Sequence, residues 1–291
     1  MKKKSILTIM KHSQAVTKIT NPEKGVLLLH GFKGSPFEMK HLGEKISEQG
    51  YSIFIPRLPG HGTNIEDMTL FNGRDWLNAA REALIELRSH CREVCVIGLS
   101  MGGILSILLA RTYPVKKIVL LSVPRAIKEK TIYLAPVIGL FKKILRREDT
   151  TMGLASEEAR RVHECYSSGI PLRQSWHLFR LIKKGMKALP DIEAETLLIQ
   201  SLNDRVIPRD SIDYISSHAA SAKKEKFLLK ASDHAITADL EKDAVAERVI
   251  EFLNRPDSTP GSRRCAHIFA EEGRSDPDRE LERTGTRSGL G

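Results

Sequence analysis

Gly98-Leu99-Ser100-Met101-Gly102-Gly103 stands between two apolar runs, Val94-Cys95-Val96-Ile97 before it and Ile104-Leu105-Ser106-Ile107-Leu108-Leu109-Ala110 after it. The first has the length of a buried strand and the second that of a buried helix. A G-x-S-x-G motif between strand and helix marks a sharp turn that presents the serine at the strand end. Such a turn strains the serine backbone, and only neighbours without side chains two residues away leave room for it, as Gly98 and Gly102 do. The hydroxyl then stands at a helix N-terminus, where free N–H groups and the helix dipole favour a developing anion. Ser100 is therefore a candidate nucleophile.

Outward from this turn the chain alternates strand and helix patterns. Residues 25–31, 51–56, 94–97, 117–122, 196–200 and 225–230 read as strands, most of them continuously apolar. Residues 38–49 carry Met39, Leu42 and Ile46 at helical spacing and close at Gly50. Further helices are expected over 73–90, 210–217 and 239–254, and residues 5–20 alternate weakly, as an edge strand would. This alternation predicts an α/β fold, a mostly parallel sheet with helices on both faces. Its core comprises residues 25–123 and 191–254, preceded by an N-terminal segment, 1–24. Residues 124–190 break the rhythm. They read as helices with basic faces, one of them over 132–145, and fit an inserted helical cap over the strand ends. Residues 255–291 are dominated by Pro, Gly, Ser and charges, seven Arg against seven Asp or Glu, and are expected to be a disordered tail.

Composition narrows the class of protein. The hydrophobic fraction of 41% is ordinary and supplies a sizeable core. Cys91, Cys95, Cys165 and Cys265 show neither metal-site nor disulfide-framework spacing, which fits a reducing compartment. The apolar stretch of residues 6–10 is too short for a signal peptide and is interrupted by Lys11-His12, so a cytoplasmic protein is expected. The net charge of +10 is concentrated, with 14 Lys or Arg against 6 Asp or Glu over 125–187. A solvated basic face explains this most simply. Weak contact with an anionic lipid surface is the alternative, basic and apolar residues dipping in together. No helix-turn-helix, zinc-finger or RNA-binding signature accompanies the charge, which argues against nucleic acid.

A serine hydroxyl needs a base, and the base needs an orienting carboxylate. In this kind of fold the order is Ser, then Asp or Glu, then His, the last two on loops after late strands. Asp204 follows the strand at 196–200 and His234 the strand at 225–230. Asp233 adjoins His234 in sequence, which turns the two side chains apart, so Asp204 is the preferred partner. His30 more simply braces a loop. An oxyanion hole would pair the Met101 N–H with one from the loop His30-Gly31-Phe32-Lys33-Gly34-Ser35, for which Phe32 is the choice.

Leu27-Leu28-Leu29-His30-Gly31-Phe32, Pro59-Gly60-His61-Gly62, Gly98-Leu99-Ser100-Met101-Gly102-Gly103, Asn203-Asp204 and Asp233-His234 together resemble an α/β-hydrolase. More narrowly, they are similar to bacterial carboxylesterases and monoacylglycerol lipases with a small helical cap, over about residues 24–254. The resemblance implies hydrolysis of short- to medium-chain carboxylic esters through an acyl-enzyme, with a small-molecule ester substrate and neither cofactor nor metal. Apolar cap residues, Leu134, Ile138 and Phe141 among them, either pack the cap onto the sheet or line an acyl channel, as pockets for ester chains need. Lys33 departs from the group, which often has a small polar residue there, and the cap is unusually basic. A thioesterase or amidase is the rival on the same three residues. A non-catalytic binding protein on this scaffold would be expected to have lost part of the set.

Overall fold

The computed structural model describes residues 11–128, 138–139, 142–145 and 169–256 of the 291. The fold below belongs to the unit Met1–Arg255. Successive strand residues face opposite ways, and the sequence supplies apolar side chains in both directions. In β2 (Lys24–Leu29), Val26 and Leu28 enter one core layer while Leu27 and Leu29 enter the other. β4 (Glu93–Leu99) divides in the same way, Ile97 and Leu99 against Val94 and Val96. So does β5 (Lys117–Leu121), with Val119 and Leu121 against Ile118 and Leu120. Central strands buried on both faces are the consequence, and they require helices on both sides.

With β1 (Val16–Lys18), β3 (Ser52–Ile55), β8 (Glu195–Ser201) and β9 (Lys224–Leu229), the sheet has seven strands in the order β1-β3-β2-β4-β5-β8-β9. Only β1 runs antiparallel, pairing Val16 with Ile55. α1 (Phe37–Glu48) and α7 (Lys242–Asn254) cover one face, through Met39, Leu42 and Ile46 and through Val245, Val249 and Phe252. α3 (Gly73–His90), α4 (Met101–Thr112), α5 (Leu172–Ala188) and α6 (Ser211–His218) cover the other. Gly50, at φ 82°, ends α1 as its position in the sequence suggested. A short α2 (Ile65–Met68) is capped by Asn64, whose side chain accepts the Asp67 N–H at 2.9 Å.

Two expectations are corrected. The helix read over 132–145 does not reach its end: Ile144 and Leu145 form β6, which pairs antiparallel with β7 (Ile170–Pro171), although Ile138 is helical. Two-residue strands leave no periodicity to read. The last helix starts at Lys242 rather than at 239, because Asp239 and Glu241 hold a preceding loop. α5 belongs to the block read as a cap, and its apolar side (Leu178, Leu181, Ile182) joins the core layer of α3 and α4. Leu134 and Phe141 lie outside the described residues.

One buried cation ties the sheet to its last helix. Lys117 Nζ donates to the carbonyls of Phe252, Leu253 and Arg255 at 3.2, 3.0 and 2.7 Å, covering acceptors that a helix C-terminus leaves open. Replacing Lys117 by Met keeps the stem and strands those carbonyls, so stability should fall by about 3 kcal/mol. A urea titration showing an unchanged midpoint would contradict this account.

Candidate active site

The carboxyl ends of β2, β4, β8 and β9 converge on one edge of the sheet, where open parallel sheets present their sites. Ser100 follows β4 directly and has φ 52°, ψ −114°, a left-handed backbone costly for a residue with a Cβ. The turn tolerates no bulk. A Cβ on Gly98 would lie 2.2 Å from the Gly102 oxygen, and one on Gly102 would lie 2.1 Å from the Leu29 oxygen. The strain is held by main-chain bonds: Ser100 N–H donates to Leu121 O at 2.8 Å, and Ser100 O accepts from Gly103 and Ile104.

His234 Nε2 lies 2.9 Å from Ser100 Oγ, and its Nδ1 lies 2.7 Å from Asp204 Oδ2. A carboxylate can only accept, so the imidazole proton sits on Nδ1 and Nε2 accepts the serine O–H. The other Asp204 oxygen accepts the N–H groups of Val206 and Ile207, at 2.8 and 3.0 Å. Burial works to raise the Asp204 pKa, but the imidazole charge, its hydrogen bond and the two amides outweigh it, leaving the carboxyl below its usual range. Burial pushes His234 down, yet the Asp204 charge and hydrogen bond, with Glu38 and Asp233 behind them, bring it above the ordinary imidazole value. Asp233 does not compete for the ring, because its carboxylate accepts the Arg205 N–H at 3.0 Å and the Arg205 guanidinium.

The loop that carries His234 is fastened by two acids that lie just before the following helix. Glu241 accepts the N–H groups of Lys230, Ala231 and Ser232, at 3.1, 2.9 and 2.7 Å, and Asp239 accepts that of Asp233 at 2.8 Å. On the opposite side of the site, His30 does brace a loop. Leu58 N–H donates to its Nε2 at 3.2 Å, which puts the proton on Nδ1, 3.0 Å from Gly31 O. Burial lowers its pKa and favours that neutral form. Among the described residues, no protein acceptor takes the N–H of Phe32 or of Met101. Both amides belong to segments beside Ser100, since a Cβ on Gly31 would lie 3.5 Å from Ser100 Cβ. Sequence reasoning missed Glu38, whose buried carboxylate adjoins this loop, and Lys128, whose Nζ donates to Asp204 O at 2.7 Å.

A serine, an imidazole and a carboxylate in one hydrogen-bonded chain, on a strained turn of a parallel α/β sheet, define the class: an α/β-hydrolase. The comparisons agree. A family model described as serine aminopeptidase, S33, matches residues 20–241, and the chain belongs to that family of serine hydrolases. It is 32% identical over 234 residues to a thermostable monoacylglycerol lipase from Bacillus sp. (strain H-257), covering 80% of this chain and 91% of that one. It is 29% identical over 236 residues to a carboxylesterase from Bacillus subtilis (strain 168), covering 81% and 94%. A solved structure described with the metagenome-derived lipolytic enzymes LipS and LipT superposes with a TM-score of 0.78 at 26% identity, over 84% of this chain and 98% of that one. Among the described residues no helix is long and apolar enough to cross a membrane.

Proposed function

We propose that the protein is a carboxylesterase that cleaves short- to medium-chain carboxylic esters, monoacylglycerols among them, through an acyl-enzyme on Ser100. The observation that carries this reading is the unbroken chain Ser100–His234–Asp204. Ser100 Oγ attacks the ester carbonyl while His234 Nε2 takes its proton. The oxyanion of the tetrahedral intermediate is met by the N–H groups of Phe32 and Met101, each such donor contributing about 3–4 kcal/mol. The imidazolium returns its proton to the departing alcohol. Water then attacks the acyl-serine with His234 again as base, releasing the acid and restoring the hydroxyl. Asp204 holds the ring in the Nδ1–H tautomer and stabilises its charged form.

In this reading residues 124–190 include a cap over the strand ends, with Ile138 on the acyl side. Supporting this, Ile144 of β6 packs against Ile65 and Met68, the same pair that Phe32 of the loop beside Ser100 packs against. A panel of p-nitrophenyl esters of graded acyl length, with thioester and anilide analogues and labelling by a fluorophosphonate, tests the function. Ester turnover should dominate and the kcat/KM profile should fall on the acid side around a pKa above 6.5, since only neutral His234 accepts the proton. Faster turnover of the thioester or anilide would hand the function to the rival reading.

The cytoplasm is the proposed location, supported by the free thiol Cys91. A weak contact with anionic lipid is also proposed. Arg173, Arg180, Lys183, Lys184 and Lys187 are exposed on α5, which carries no acidic residue, and Trp176 stacks on Phe179 at 5.0 Å. Co-sedimentation with phosphatidylserine vesicles should be measurable at low salt and fade as salt screens the charges. Equal pelleting with neutral vesicles would remove the electrostatic contact.

A further inference from the structure

Glu38 lies in the first turn of α1 and is only 4% exposed, in a protein interior where carboxylates are seldom left unpaired. Its Oε2 accepts the Gly31 N–H at 3.0 Å. A Cβ on Gly34 would sit 2.1 Å from that oxygen, so the carboxylate rests against a bare α-carbon. A Cβ on Gly31 would lie 3.4 Å from the same oxygen and 3.5 Å from Ser100 Cβ. The carboxylate, the Gly31 backbone and the serine are thus successive neighbours. On its other side Gly31 is held by its carbonyl, which lies 3.0 Å from His30 Nδ1 and accepts the Gly34 N–H at 3.2 Å. That carbonyl and the Phe32 N–H are two ends of one rigid peptide plane.

We infer that Glu38 is a positioning residue: its carboxylate grips the Gly31 N–H on the peptide plane that precedes the one carrying the Phe32 N–H, and by anchoring Gly31 from that side it holds the loop in the register that aims the Phe32 N–H at the reacting carbonyl. The inference rests on the reading of Phe32 as an oxyanion donor and His234 as the base. The Lys33 φ of 62° fits a loop constrained from outside, because a lysine does not adopt this backbone without cost. The charge of the carboxylate has a second effect. Burial lowers the His234 pKa, and Asp204, then Glu38, then Asp233 raise it. Of these, Asp204 is bonded to the ring and Asp233 is paired with Arg205. Lys128 reaches the Asp204 carbonyl, and His30 and Lys33 lie in the loop that Glu38 holds. Glu38 reaches the base across Gly31 and Ser100, whose Oγ lies 2.9 Å from His234 Nε2, so its support of the charged ring is real but smaller than that of Asp204.

Glu38→Ala and Glu38→Gln separate the two effects in the full-length protein. Ala removes the grip and the charge, so kcat on p-nitrophenyl butyrate should fall about tenfold or more, with KM little changed. Gln keeps an acceptor for the Gly31 N–H, so it should recover most of that loss while the acid limb of kcat/KM moves to lower pH. Thermal midpoints and fluorophosphonate labelling of both variants report whether the fold and serine survive. Wild-type kcat in folded Glu38→Ala, or an unmoved acid limb in Glu38→Gln, would overturn the inference. Absence of ester turnover in the unmodified protein would instead sink the proposed function itself.

Discussion

Ser100→Ala should abolish ester turnover, with a loss on the order of 10⁶-fold in kcat, as in a hydrolase whose nucleophile acts as a unit with its base. The hydroxyl is the only group at the turn that can bond to the acyl carbon, and no neighbouring side chain shares its place at the end of β4. The fold should survive, because the turn is held by the backbone of Ser100 and by Gly98 and Gly102, none of which uses the hydroxyl. Removing the Cβ-borne oxygen leaves the strained φ as it was. Initial rates on p-nitrophenyl butyrate, with circular dichroism as the control on folding, measure both halves. Residual turnover above a few per cent of wild type would remove Ser100 from the mechanism. Adding His234→Ala to Ser100→Ala should cost almost nothing more, since neither works without the other.

Asp204→Asn should lower kcat by about 10⁴-fold without displacing the ring. The amide is nearly isosteric, and one of its two ends can still accept the N–H groups of Val206 and Ile207. The other end then presents NH₂ to His234 Nδ1, which forces the ring proton onto Nε2, where it faces the Ser100 oxygen and cannot receive another. Loss of the carboxylate also removes the largest support for the charged ring, so any remaining activity should show its acid limb at lower pH. A variant within tenfold of wild type would mean that another carboxylate orients the base. Asp233 would be the first suspect, and its engagement by Arg205 argues against it.

Much of this was legible in the sequence for a definite reason. Parallel strands buried on both faces are written as near-continuous apolar runs, and Val26–Leu29, Val94–Leu99 and Lys117–Leu121 stand out against polar surroundings. Loops at the carboxyl ends of those strands converge in space, so Ser100, Asp204 and His234 could be paired across more than a hundred positions by their places after strands. The lines that failed are those where the true structure leaves no pattern of its own. Ile144 and Leu145 continue an apolar helical pattern until a two-residue pairing with Ile170–Pro171 ends it. Asp239 and Glu241 resemble the acidic first turn of a helix, yet their carboxylates serve the amides of the loop before it. Glu38 looks like a favourable first-turn acid of α1, and nothing in its neighbours announces that it faces inward onto Gly31.

The fastening of the His234 loop has a consequence for how freely this protein can change. Glu241 takes hold of main-chain amides at Lys230 and Ala231, and both of those side chains are exposed. The imidazole is therefore moored without any demand on residue identity at positions 230 and 231, provided neither becomes proline. Mutational drift can rewrite that rim of the molecule while the base stays at anchor, which makes it a natural place to graft new recognition chemistry.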